Sequence, residues 1–310
     1  VRALVVAIAA ALAVACVPAS VEPENVSVVQ PIATPTSGTP TPAALPPAAP
    51  APPPEPAGPT TFVFDGELTQ GGWIRGQAPA GTVSARLDER QLTLDPQGRF
   101  FAAFDRDAGP TATLSASLRN GRTIESPIAV SPRGWNIEHV NVGRTSGGAS
   151  EAFMRRRRPE LERIGAARAV ESDSEGWWQD FAWPATGRIS GRFGSQRIYR
   201  GEPGAYHSGL DIAGGSGTPF AAPADGVVVL AAAEPFSLEG NLIIIDHGMG
   251  LNSAFLHASE IVVREGQRVS RGQMIGRIGA TGRATGPHLH WSLMWRDARL
   301  DPLLFTGPMR

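Results

Sequence analysis

The chain has 310 residues, enough for one large domain or two modest ones that each bury a core, and its formal net charge of -1 offers no global argument for a nucleic-acid or anionic-membrane partner. All 28 basic residues are arginine, which excludes mechanisms that need a lysine nucleophile, a Schiff base or a carrier lysine. The single cysteine, Cys16, rules out an intramolecular disulfide.

Residues 1–16 start with Arg2, run apolar and end in small side chains. The apolar stretch falls short of the roughly 20 residues that a membrane-spanning helix requires. Basic start, short apolar run and small residues together describe an export signal. Ala13-Val14-Ala15-Cys16 resembles a bacterial lipobox, in which the cysteine is acylated after cleavage, although Leu12 stands one place earlier than the usual leucine. The expectation is an exported protein attached to a membrane through acylated Cys16. Residues 17–60 hold 14 of the 28 prolines among Ala, Thr and Glu. With so little apolar bulk to offset ordering entropy, they read as a disordered tether with polyproline-II character.

Residues 61–132 change to short alternating runs at 61–64, 73–75, 83–87, 91–94, 100–104, 112–118 and 123–130. Turn sequences such as Asp95-Pro96-Gln97-Gly98 and Asn120-Gly121 separate them. This spacing predicts a small antiparallel sandwich, similar to immunoglobulin-like modules, that serves as a wall-binding unit or a stalk. Residues 133–182 read as a connector. Pro159 is placed to open a helix towards residue 170, with Leu161 and Ile164 on one side. The basic run 155–158 reads as a solvated helix face, and Trp177 and Trp178 as packing against a neighbouring domain. The segment is also positioned to cover a groove in whatever follows.

Residues 183–305 return to strand and turn, with candidate strands at 188–193, 226–231, 241–246, 252–257, 274–279 and 288–294; residues 306–310 form a tail. Five of the six histidines fall here. His207 and Asp211 bracket Gly209 in HSGLD, His257 ends SAFLH, and His288 and His290 sit in GPHLHW. On a strand, residues two apart face the same way, so His288 and His290 project side by side while Leu289 turns to the apolar side. Two imidazoles on one strand face, a third from another strand, and a His/Asp pair from a loop form a set in which a metal is plausible. Zinc takes imidazole nitrogen and carboxylate oxygen, and a catalytic zinc keeps three protein ligands and one open position.

In this order, together with WPATGRISGRFG, DHGMGLNSAFLH and GATGRATGPHLHW, these motifs resemble the lysostaphin or LytM type of cell-wall zinc endopeptidase. The resemblance implies an all-β catalytic domain with an antiparallel-sheet groove. It further implies His207, Asp211 and His290 as zinc ligands, and His257 and His288 as catalytic histidines. The implied substrate is peptidoglycan. The export signal and tether favour D,D-endopeptidase action on direct cross-links by an outer-membrane-anchored periplasmic lipoprotein. A rival reading is a non-enzymatic relative that activates cell-wall amidases, which the five intact positions disfavour. Phe255 replaces the family's usual tyrosine at a packing position, His247 reads as structural and His139 as a surface residue. APADGVVVL resembles biotinyl or lipoyl carrier strands, but no lysine is present to carry the cofactor.

Overall fold

A computed structural model describes residues 57–143 and 150–309. The export signal, Cys16 and almost all of the proline-rich segment lie outside the described residues. The described residues form one compact unit.

The first part contributes β1 (Val63–Gly66), β2 (Trp73–Gln77), β3 (Thr82–Leu87), β4 (Arg90–Leu92), β5 (Arg99–Ala103), β6 (Thr111–Leu118) and β7 (Thr123–Ala129). They form two sheets, β1-β2-β5 and β4-β3-β6-β7, all antiparallel. Alternation places Ala112, Leu114 and Ala116 inward on β6, where they join Ile74 and Phe100 in a common core. The seven expected strands are present. The sandwich is more than a loose stalk, however, because its core runs on into the C-terminal domain. Phe101 and Trp73 pack on Phe305, Phe101 meets Trp295 edge-on, and Trp73 Nε1 donates to the Leu304 carbonyl at 2.9 Å.

The connector holds β8 (Ile137–Val140) and α1 (Glu151–Arg168). The helix does not open at Pro159. It starts at Glu151, with the Ser150 hydroxyl accepting from the Phe153 N–H at 3.1 Å and capping the first turn. Pro159 lies inside, where its missing N–H removes one backbone bond. Leu161 is exposed, leaving Ile164 and Ala167 as the helix's apolar contacts with the sheet. Nor is 155–158 wholly solvated, since Arg157 is buried in an ion-pair cluster with Glu160 and Glu239. Trp177 and Trp178 do pack against the sandwich, under the guanidinium of Arg99 from β5.

The C-terminal domain adds β9 (Ile189–Gly191), β10 (Gln196–Tyr199), β11 (Glu202–Pro203), β12 (Leu210–Ala213), β13 (Pro219–Ala221), β14 (Gly226–Phe236), β15 (Gly240–Asp246), β16 (Leu251–Ala258), β17 (Glu260–Ile261), β18 (Arg268–Val269), β19 (Met274–Arg277), β20 (His288–Trp295) and β21 (Ala298–Leu300). Its principal sheet runs β18-β14-β15-β16-β20-β12-β9, with β21 on β20. A small sheet, β13-β19-β17, is hydrogen-bonded separately and packs on it through Phe220 against Phe255, and β8 adds in parallel to β10. Every residue of β15 is buried, because both faces of the large sheet are covered. Ile243, Ile245, Phe255, Leu289 and Trp291 face the main core, while Leu242, Ile244 and Ala254 face α1.

Candidate metal centre

β20 stands between β16 and β12, and the pairing register sets Asp211 directly opposite His290. Asp211 therefore belongs to a strand, not to the loop expected for it, and that pairing aims its carboxylate at the imidazole across the ladder. His207 lies just before β12. Its backbone is fixed by two bonds, N–H to the Ser195 carbonyl at 2.8 Å and carbonyl from the Gly194 N–H at 2.9 Å. His207 Nδ1 is 3.1 Å from the Arg192 carbonyl, which turns Nε2 towards the centre.

Three atoms converge there. His207 Nε2 and Asp211 Oδ1 are 3.1 Å apart, His207 Nε2 and His290 Nδ1 3.2 Å, and His290 Nδ1 and Asp211 Oδ1 2.8 Å. Two ligand atoms held about 2.0–2.1 Å from a tetrahedral ion stand roughly 3.3–3.4 Å apart. Two nitrogens and one carboxylate oxygen at these separations fit a divalent metal, with small outward shifts. Burial alone would raise the Asp211 carboxyl, but bonding to His207 and His290 holds it well below the usual carboxylate range. Burial pulls His207 down, and the Asp211 carboxylate more than offsets it, so the net shift is upward. For His290 burial wins and the imidazole is pushed down, towards the neutral form that ligates metals.

His288 and His257 stand beside this triad. Their rings lie 4.9 Å apart, and His257 is 6.3 Å from His290. His288 shares the face of His290, as period two requires, and its Nε2 is 3.7 Å from Asp211 Oδ1. The route taken by His257 is less direct. Leu256 pairs with His290, so strict alternation would turn His257 to the opposite face. The pairing of β15 with β16 shifts register here, and His257 takes a left-handed φ of 66°. That bulge re-aims the side chain to the metal side, at a local cost of about 1 kcal/mol or more. His257 Nδ1 and His288 Nδ1 each lie 2.8 Å from a backbone carbonyl, those of Thr281 and Gly286. Both carbonyls demand an N–H, which leaves each Nε2 free for proton exchange. Burial, then the neighbouring histidines, push His257 down.

Two glycines in this site carried no chemical signal in the sequence. A Cβ on Gly191 would stand 2.3 Å from Asp211 Oδ2, and one on Gly209 would stand 2.7 Å from His290 Nε2. The Asp211 carboxylate and the His290 ring occupy the space a side chain would need. Gly191→Ala is expected to displace Asp211 and weaken metal affinity by about ten- to a hundredfold, as losses of ligand support do. Chelator competition measures this, and an unchanged affinity would show that Asp211 tolerates the shift.

His247 is the structural residue expected. It is fully buried, with Nδ1 2.7 Å from the Asp225 carbonyl and Nε2 2.7 Å from Ser253 Oγ, and burial pushes it down to about 4. Phe255 is buried and stacks on Phe220, so the position is one of packing. His139 is exposed on β8. A cavity of about 350 Å3 lies between α1 and the large sheet and opens on His290 and Ser208. A cavity of about 480 Å3 lined by Leu87, Phe104 and Val130 includes none of the five site residues.

Residues 205–302 match the family described as Peptidase family M23. Over 123 residues the chain is 42% identical to the peptidoglycan DD-endopeptidase ShyA of Vibrio cholerae serotype O1, covering 39% of this chain and 28% of that protein. Over 141 residues it is 37% identical to the lipoprotein NlpD/LppB homolog of Pseudomonas aeruginosa, covering 46% and 43%. A crystal structure of an M23 peptidase from Pseudomonas aeruginosa is similar over 78% of this chain and 96% of its own, with 28% identity and a TM-score of 0.59. That likeness reaches well beyond residues 205–302. The chain spans less than half the length of either curated relative.

Proposed function

We propose that this chain, whose C-terminal domain is an M23-type peptidase, is a zinc-dependent endopeptidase that hydrolyses the peptide cross-links of bacterial peptidoglycan. The observation that carries this reading is the convergence of His207, Asp211 and His290 to within 3.2 Å of one another, with two further imidazoles beside them. These three residues would hold the ion. When bound, zinc supplies Lewis acidity towards a water and towards the scissile carbonyl.

The remaining work falls to His257 and His288. Their carbonyl-anchored Nδ1 atoms leave both Nε2 atoms facing the reacting groups. One can take the proton released by the attacking water, and the other can support charge on the carbonyl oxygen or deliver a proton to the departing amine. The buried, neutral-leaning His257 is suited to accept a proton. The relative named as a peptidoglycan DD-endopeptidase supports the D-alanyl–diaminopimelyl link as the bond cut. The lipobox-like text around Cys16, and a relative named as a lipoprotein, support attachment to the outer membrane with the catalytic domain in the periplasm.

The test is digestion of purified sacculi by the full-length protein loaded with zinc, read by mass spectrometry. Cleavage at the D-alanyl–diaminopimelyl bond is expected, and chelation should abolish it. A protein that binds zinc one to one and releases no cross-link product would leave the amidase-activator reading in its place.

A further inference from the structure

The cavity that opens on His290 has a charge pattern that the endopeptidase reading does not explain. Arg168, at the C-terminal end of α1, and Arg299, the middle residue of β21, both line it. Among the described residues neither guanidinium has a carboxylate within ion-pair distance. Arg168 is half-buried, its Nη1 lies against Met294 Sδ, and its Nε is buried with no hydrogen-bond partner. Glu239, the acidic residue that also lines the cavity, is already committed. Both its oxygens are held by Arg157, at 2.5 and 2.6 Å. Arg299 is exposed and rests over the Tyr206 ring at 5.7 Å.

Two unpaired cations sharing one cavity repel each other, and Arg168, the less exposed of the two, also loses hydration. Burial, and then the charge of Arg299, push Arg168 down to about 10. A buried cation without a partner is costly, and an incoming anion relieves that cost. Guanidinium groups are matched in shape to carboxylates, which they bind with charge-assisted pairs of hydrogen bonds. The cavity thus combines room, unpaired positive charge and direct access to a metal ligand.

We propose that Arg168 and Arg299 form a carboxylate-recognition subsite beside the metal triad. Its ligand is the free carboxylate on the carbon that bears the scissile nitrogen of a direct D-alanyl–diaminopimelyl cross-link. The assignment rests on the endopeptidase reading for its substrate. In that cross-link the carboxylate is two bonds from the nitrogen being released, so a subsite for it must lie close to the metal-binding residues, and this cavity is lined by one of them, His290. A glycine bridge has an amide carbonyl at that place and a lysine-type cross-link has hydrogen, so the same pair of arginines would select against both.

The experiment uses the full-length, zinc-loaded protein and two readouts. Calorimetry measures binding of the released diaminopimelyl peptide, of the same peptide amidated at that carboxylate, and of one amidated at its glutamate carboxylate instead. Cleavage of the intact cross-linked dimer is followed in parallel. The free-carboxylate peptide is expected to bind about ten- to a hundredfold tighter than its diaminopimelate-amidated form, the range for a charged hydrogen-bonded pair. Arg168→Gln and Arg299→Gln should each reduce that preference to threefold or less. A wild-type preference under threefold, no detectable binding of the free-carboxylate peptide, or both variants retaining the preference would overturn the subsite. A loss that follows glutamate amidation instead would also overturn it as stated. Failure to cleave the dimer would refute the endopeptidase reading, while the binding ratio would still decide whether the subsite exists.

Discussion

Alanine at His290 is expected to give a folded protein that neither retains zinc nor cleaves peptidoglycan, whereas alanine at His288 keeps the metal and loses turnover. The two histidines are two residues apart on one strand face, so a general disturbance of β20 would affect both alike. Their surroundings differ. His290 Nδ1 lies 2.8 Å from Asp211 Oδ1 and 3.2 Å from His207 Nε2, inside the ligand triangle. His288 Nε2 is 3.7 Å from the same carboxylate oxygen, and its Nδ1 is tied back to the Gly286 carbonyl. If His290 is one of three ligands, as proposed, its removal should weaken zinc by more than the hundredfold typical of losing a group that merely supports a ligand. Removing a proton-transfer group should lower kcat by about 10²- to 10⁴-fold. Zinc content by atomic emission, with cleavage rates on purified cross-linked peptide, reads both effects. If His288→Ala emptied the site while His290→Ala kept its metal, the two roles would have to be exchanged. A His288→Ala enzyme working near the normal rate would remove His288 from the chemistry.

The parts of this site that local spacing encodes were legible in the sequence. Two histidines at i and i+2 share a strand face whatever the rest of the fold does, and HSGLD keeps His207 and Asp211 close in space. What long-range register decides was not legible in local spacing and entered only through the family resemblance. Nothing near Asp211 announces that it pairs with His290, since that contact depends on strands 79 residues apart coming together in one register. His257 is the sharper case. Alternation along β16 gives the wrong face, and only the bulge against β15 brings the imidazole round. The helix boundary failed for a different reason. Pro159 is a strong local signal for a first turn, but Ser150 followed by acidic Glu151 provides a true cap eight residues earlier, and the helix tolerates the lost bond. In the sandwich, by contrast, alternation and turns both act locally, and the strands fall where those signals put them.

Arg157→Ala is expected to detach α1 without unfolding the domain. The helix contributes few apolar contacts, chiefly Ile164 and Ala167 against Leu242, Ile244 and Ala254. What holds its N-terminal half is polar: Arg157 bonds Glu160 at 2.9 Å and both oxygens of Glu239, while Glu160 accepts from the N–H and hydroxyl of Ser237 at 2.8 and 2.6 Å. The Arg157 side chain is 8% exposed and that of Glu239 16%. Removing the cation leaves two carboxylates facing each other in a mostly buried place, at a cost of about 3 kcal/mol. That is roughly a hundredfold in the equilibrium for local opening, visible as faster amide exchange confined to residues 151–168. Exchange within twofold of wild type would mean that the cluster is not what secures the helix. The same variant separates two roles for α1. A helix that merely covered the groove would, once loosened, give a faster enzyme with the same preferences. A helix that carries Arg168 into the cavity gives, once loosened, an enzyme that no longer distinguishes free from amidated diaminopimelate and cleaves no faster. The second outcome is expected, because the end of α1 farthest from the Arg157 cluster is the end that brings an unpaired guanidinium to the cavity beside His290.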